Sequence, residues 1–187
     1  IQILWAITGK YDVEGGMYIN GGRFPTVKLK KVPEQNQPIG SKEFPLFYGI
    51  VGQGQFSEIP KAVLNDDPYP VRGLLIAAAS PALTYPDKKL WHKVYEKLDF
   101  LVVNERFMSE EIMYADVVFP ATTYYENQIP VSSPLFGWKL RNRIIQPLGE
   151  ARNDVHILQA LAEKMGFGEA YPKSDEDTEL WMLDGNR

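Results

Sequence analysis

The chain contains no cysteine. Disulfides, cysteine-held iron–sulfur clusters and thiolate metal ligands are therefore excluded within it. Histidine is nearly absent too. His92 and His156 are the whole complement, and their separation in sequence argues against a histidine-built metal site. Positive charge is not in excess: 20 basic residues face 24 acidic ones, for a net charge of −4. A protein that neutralises a phosphate backbone needs a basic face, so no nucleic-acid partner is expected. No apolar run reaches the roughly 18 residues needed to cross a bilayer, so no direct membrane span is expected. A dinucleotide fingerprint is also missing. Gly49, Gly52 and Gly54 lack the preceding strand, the full glycine spacing and the following helix that such a motif requires, and they read as a flexible loop.

What is present suits one globular domain with irregular extensions. The length of 187 residues and the apolar share of 44% are ordinary for a chain with a buried core. Residues 1–8 read as the last turns of a helix stopped by Gly9. The abrupt start in mid-element gives the expectation of a piece cut from a longer protein. Glycine pairs at 15–16 and 21–22 follow, then a proline-rich segment from Pro25 to Pro45 read as an irregular surface loop. Residues 1–46 are assigned to this extension, 47–170 to an α/β domain, and 171–187 to a charged tail.

The α/β domain carries the clearest pattern. Ser57 to Leu64 reads as a short helix, with Ser57 as cap and Pro60 in its first turn. Leu74 to Ala78 is an unbroken apolar run, as in a parallel strand buried on both faces. Thr84 or Asp87 can cap a following helix in which Leu90, Val94 and Leu98 recur at helical spacing. Phe100 to Val103 is a second buried strand. Ser109 can cap a short helix whose first turn carries Glu110 and Glu111, where negative charge meets the positive end of the dipole. Val117 to Phe119 is a third strand. Strand, helix, strand, helix, strand predicts a doubly wound, mainly parallel sheet with flanking helices. Ligands of such sheets bind beyond the carboxyl ends of the strands. Here those ends are Ala79-Ser80, Asn104-Glu105 and Pro120-Ala121-Thr122.

Further on, Pro130 to Trp138 reads as a loop and Lys139 to Gln146 as a strand. Asn153 or Asp154 opens a helix with Val155, Leu158, Ala162 and Met165 on one stripe, ended by Gly166. Residues 173–177 read as solvated, and Leu180 to Leu183 as a docking segment.

The run from Asp99 to Pro120, above all Phe107-Met108-Ser109 and Ala115-Asp116-Val117-Val118-Phe119-Pro120, resembles the molybdopterin oxidoreductases, the family typified by dimethyl sulfoxide reductase and formate dehydrogenase. Weaker matches stand in the same order. Thr8-Gly9-Lys10 with Gly15-Gly16 is similar to an "LTGN…GG" segment. Ala78-Ala79-Ser80-Pro81 takes the place of a Gly-x-Asn-Pro turn, Glu126 falls where the family often has an acid, and Pro147 to Arg152 resembles the close of the region.

The resemblance implies an internal fragment of a catalytic subunit that helps to hold a molybdopterin guanine dinucleotide carrying Mo or W. Its metal ligand, any iron–sulfur cluster and the closing domain would lie outside this segment, so the fragment alone would be inactive. The remaining domains of the same polypeptide and an iron–sulfur electron-transfer subunit are the implied partners. A prokaryotic parent is implied, with the compartment open. Apolar surface around Trp5, Trp138 and Trp181 predicts self-association of the fragment. A pyrophosphate, a ribose and a purine suit hydroxyls, backbone N–H groups and acids at strand ends. Ser80, Asn104, Glu105, Ser109 and Thr122 are therefore the candidate cofactor contacts, with no catalytic or metal-binding residue in the chain. Structural roles stand beside these: Ser80 as a turn former, Ser109 as a cap, Asp116 as an anchor of strand entry, and Phe107 and Met108 as core. Arg141, Arg143 and Arg152 are candidate phosphate partners or solvated surface. Ser80 where the family has Asn leaves open a non-catalytic structural homologue in a respiratory complex. An unrelated nucleotide-binding α/β domain also remains open.

Overall fold

The computed structural model describes residues 2–17, 37–133 and 137–184. The glycine pair at 21–22 and the proline-rich loop up to residue 36 lie outside the described residues. In chain order the helices are α1 (Gln2–Ile7), α2 (Pro45–Val51), α3 (Ile59–Asn65), α4 (Pro81–Thr84), α5 (Lys88–Lys97), α6 (Asp154–Lys164) and α7 (Asp175–Asp184). The strands are β1 (Gly73–Ala77), β2 (Phe100–Glu105), β3 (Val117–Pro120), β4 (Ile129–Ser133) and β5 (Gly137–Arg141). They fall into two compact units. One holds residues 30–127 and 144–171, the other residues 1–29, 128–143 and 172–187.

The larger unit is mixed α/β. Its parallel sheet has the order β1-β2-β3. Gly73 pairs with Phe100 and Ala77 with Asn104, while Val102 pairs with Val117 and Glu105 with Pro120. β2 is the central strand, and Leu101 to Asn104 are all buried, as its apolar run requires. The expected strand–helix–strand–helix–strand order is present, except that the second connection is a 3-10 turn at Glu110–Tyr114. Asp116 does anchor strand entry, since its Oδ2 accepts the Leu101 N–H at 2.7 Å.

The core joins Val63, Ile76, Ala82, Trp91, Val94, Tyr95, Leu101 and Val103. α5 starts at Asp87, whose carboxylate accepts the Leu90 N–H at 3.1 Å. It buries Trp91, Val94 and Tyr95 on one stripe, at the spacing that one helix face demands. The Trp91 ring lies between Tyr85 and Tyr95, at centroid distances of 5.7 and 6.1 Å.

Some expected details are corrected. α3 begins after Glu58, and no side chain caps it; Ser57 lies in a 3-10 turn instead. α6 is capped by Asn153, whose side chain accepts the Val155 N–H at 3.1 Å. Its buried positions are Ile157, Gln159 and Ala162, while Leu158 and Met165 are exposed, so the stripe is rotated from the expected one. Gly166, with φ +86°, closes the helix in a left-handed turn that favours glycine.

In the smaller unit, α1 ends at Gly9, with φ +64°, as expected. Ile129–Ser133 and Gly137–Arg141 form an antiparallel pair in which Ile129 pairs with Arg141 and Val131 with Lys139. The loop expected over Pro130–Trp138 is thus largely strand, and the strand expected over 139–146 stops at Arg141. Pro130 is tolerated because a two-stranded sheet has only edge strands. The tail expected to be solvated enters α7. Ser174 caps it by accepting the Asp177 N–H at 3.0 Å, and three acids fill its first turn, where the helix dipole favours them.

Candidate functional site at the strand ends

The carboxyl ends of β1, β2 and β3 lie side by side. The Ala78 N–H donates to the Asn104 carbonyl at 3.3 Å, and the Ala121 N–H donates to the Glu105 carbonyl at 3.1 Å. The sheet register therefore brings the turn after β1, the end of β2 and the end of β3 onto one rim.

At the end of β1 the chain turns through Ala78, which adopts φ +52°. That is the left-handed region, which disfavours a residue with a Cβ. Ser80 follows, and its hydroxyl lies 2.9 and 3.0 Å from the two carboxylate oxygens of Glu111. The same carboxylate accepts the Ala82 N–H at 3.0 Å and the Tyr95 hydroxyl at 3.2 Å. Glu111 is 0% exposed. Burial pushes its carboxyl up, but bonds from its own N–H, the Ala82 N–H and the Ser80 hydroxyl outweigh this and hold it below the usual carboxylate range. Tyr95 is raised, first by burial and then by the Glu111 charge, so it stays a protonated donor. Sequence reasoning places Glu111 on the helix dipole and misses this network. Its partners Ser80, Ala82 and Tyr95 lie 31, 29 and 16 residues away, beyond any local pattern.

At the end of β2, Asn104 is 3% exposed. Its Nδ2 donates to Asp154 Oδ1 at 2.7 Å, tying the strand to the first residue of α6. Its Oδ1 is buried with no hydrogen-bond partner among the described residues. An orphaned buried acceptor costs about 1–3 kcal/mol, and a native fold rarely carries one without a reason. Glu105 is turned back on its own chain, accepting the Arg106 N–H at 2.6 Å. Ser109 precedes the 3-10 turn without capping it through its side chain. Its hydroxyl is buried beside Glu111 without a hydrogen bond of good geometry.

At the end of β3, Thr122 is buried and its hydroxyl donates to Asn127 Oδ1. Its N–H donates to the Arg152 carbonyl at 3.1 Å, and the Arg152 N–H donates to the Pro120 carbonyl at 3.0 Å. Residue 152 thus adds a parallel bridge beside Ala121. Glu126 then clasps the following loop. It accepts the Thr123 N–H and hydroxyl, both at 2.7 Å, and the Leu148 N–H at 2.8 Å. The Thr123 bonds, followed by that from Leu148, hold its carboxyl below the usual range.

Phe107 and Met108, expected in the core, are 73% and 81% exposed beside the end of β2. Arg143 pairs with Asp175 at 2.8 Å, so its charge is engaged by the start of α7. Among the described residues no group of three or more His, Cys, Asp or Glu could hold a metal ion. A depression of 390 Å³ lies away from the rim, lined by Gly40, Glu43, Asp67 and Tyr69 among others.

A parallel three-stranded sheet with flanking helices, its polar side chains gathered at the strand ends, defines a mixed α/β module. A family model described as molybdopterin oxidoreductase matches residues 15–164. The chain is 30% identical over its whole length to the thiosulfate reductase molybdopterin-containing subunit of Salmonella typhimurium, of which it covers 27%. It is 35% identical to the alpha subunit of the F420-dependent formate dehydrogenase of Methanocaldococcus jannaschii, over 54% of this chain and 15% of that one. With the dimethyl sulfoxide/trimethylamine N-oxide reductase of Rhodobacter capsulatus it shares 32% identity over 52% of this chain and 12% of that one. The solved acetylene hydratase of Pelobacter acetylenicus superposes with a TM-score of 0.63 over 72% of this chain and 19% of that one. At 21% identity, this likeness concerns the fold. The chain belongs to the molybdopterin oxidoreductase family, and it spans about a quarter of the length of the relative that it matches throughout.

The family implies a molybdopterin cofactor with Mo or W. The rim suits the donor-bearing part of such a group, because Asn104 Oδ1 offers an unused buried acceptor. Ser80 is less suited than expected, its hydroxyl being engaged by Glu111.

Proposed function

We propose that this chain is the part of a large oxidoreductase subunit that holds one molybdopterin guanine dinucleotide at the ends of β1, β2 and β3. The single observation that carries the reading is the orphaned Asn104 Oδ1 at the centre of the rim. Guanine and ribose both present N–H or O–H donors that such an acceptor can pair with. Asp154, fixed by the Asn104 amide, adds a carboxylate at the same place. Thr122 and Glu105 flank it, each able to exchange its present partner for a ligand. When bound, the cofactor would supply oxo transfer or two-electron redox at Mo or W. The residues of this chain bind and orient it. The other domains of the polypeptide, which the partial coverage of the relatives supports, complete the proposal together with an iron–sulfur cluster and an electron-transfer subunit.

The test uses the full polypeptide that contains this chain, purified without oxygen. Mo and W are measured by elemental analysis, and guanine nucleotide is measured after acid release. Metal with guanine nucleotide is expected. Metal without guanine nucleotide would remove the dinucleotide form, and neither would remove the reading.

A further inference from the structure

The turn after β1 holds a conformation that its own residues do not favour. Ala78 sits at φ +52°, and a strained non-glycine residue persists only where its surroundings over-determine it. The surroundings here are specific. The Ala78 N–H is tied to the Asn104 carbonyl, and the Thr84 hydroxyl donates back to the Ser80 carbonyl at 2.8 Å. Beneath both lies Glu111, bonded to the Ser80 hydroxyl, the Ala82 N–H and the Tyr95 hydroxyl. These partners come from the turn, from α4 and from α5. We propose that Glu111 is a positioning residue of the cofactor rim: it locks the Ala78–Pro81 turn against β2 and so fixes the place of Asn104. This role rests on the cofactor reading above. Glu111 touches no ligand in it; it acts through Ser80 and the backbone of the turn. A carboxylate suits the task because three donors converge on it, and one group can satisfy them all.

Glutamine can do nearly the same. Its amide oxygen can accept from Ala82 and Tyr95, and its NH₂ can donate to the Ser80 hydroxyl, which accepts as readily as it donates. Alanine can do none of this. The test compares Glu111→Ala, Glu111→Gln and Leu101→Ala in the full polypeptide. Leu101 is buried at the opposite, amino end of β2, so its truncation destabilises the core without removing any hydrogen bond of the turn or of Glu111. Two quantities are followed: the rate at which guanine nucleotide is lost, and amide exchange over residues 78–84 by mass spectrometry. Glu111→Ala should accelerate both by about tenfold or more, as expected when hydrogen bonds to a charged group are lost. Glu111→Gln should restore both to near the parent values. Leu101→Ala should lower the thermal midpoint while leaving both unchanged. If guanine nucleotide is present in the parent but Glu111→Ala behaves as Leu101→Ala does, the positioning role is overturned alone. If the parent holds no guanine nucleotide, the cofactor reading falls and this role falls with it.

Discussion

Replacing Asn104 with valine should make the cofactor-free protein more stable and the cofactor-loaded protein impossible to form. Three terms decide the sign. The Oδ1 atom is buried without a hydrogen-bond partner among the described residues, and removing it recovers about 1–3 kcal/mol of desolvation cost. The Nδ2 bond to Asp154 at 2.7 Å is lost. Asp154 is exposed, so water replaces the amide there, and the loss is about 0.5–1.5 kcal/mol. Valine then gains a fraction of a kcal/mol, up to about 1, from its fit to a buried central strand. The balance is about 1–2 kcal/mol in favour of the variant. With a urea dependence of about 2 kcal/mol per molar, this moves the midpoint up by roughly 0.5–1 M. The assay is urea unfolding of the cofactor-free chain followed by circular dichroism, paired with guanine nucleotide content of the full polypeptide. The variant should hold almost no nucleotide. A variant that is destabilised by more than about 2 kcal/mol would refute the reasoning, because Asn104 would then be a structural residue. So would a variant that retains the nucleotide.

Other outcomes follow from the same geometry. Glu111 and Glu126 are both held below their ordinary value of 4.5, so their stabilising contribution is complete above that pH. It is lost as pH falls through the depressed folded values. Urea midpoints should therefore be flat from about pH 7 to about 5 and decline below about 4.5, and Glu126→Gln should flatten part of the decline; an unchanged profile would remove Glu126 from the account. Tyr95→Phe should cost about 1.5 kcal/mol, the low end for a bond to a charged group, because its 3.2 Å distance is long for a hydroxyl donor; thermal unfolding reads this directly. Val94→Ala, at a fully buried core position, should cost about 2 kcal/mol without altering nucleotide content. The isolated chain should elute above its 21.3 kDa mass at high concentration, because Trp5, Leu46, Ile50 and Trp181 are all exposed; strictly monomeric elution would count against this.

The sheet is legible in the sequence because two unbroken apolar runs suit parallel strands, although only β2 is buried as expected and β1 leaves Leu75 and Ala77 exposed; the third strand is marked by Asp116 before it and Pro120 at its end. Once the strands are placed, their ends follow, and Asn104 and Thr122 emerge that way. What stays hidden depends on distant partners. Glu110 and Glu111 are neighbours with the same side chain, yet the 3-10 turn sends one to Lys88 and His92 and the other into the core. No local rule separates them. The β4–β5 pair is hidden for a different reason. Proline and serine weaken the strand pattern over 130–134, and its pairing rests on backbone bonds that carry no side-chain signature. The buried stripe of α6 is ambiguous because Ile157 and Leu158 are adjacent and both apolar. Either can anchor an apolar face, and packing selects Ile157.

The order β1-β2-β3 matches the order of synthesis. Each strand, on leaving the ribosome, finds its neighbour already made, and the bridge at Arg152 extends the sheet in the same direction. Among the described residues, no strand of this sheet has to wait for a later one to be inserted between it and its partner. The side-chain tie between Asn104 and Asp154 closes last, fifty residues after the strand that carries Asn104. Assembly of the rim is therefore vectorial: the sheet grows outward from β1, and Asn104 is tied down only when α6 arrives.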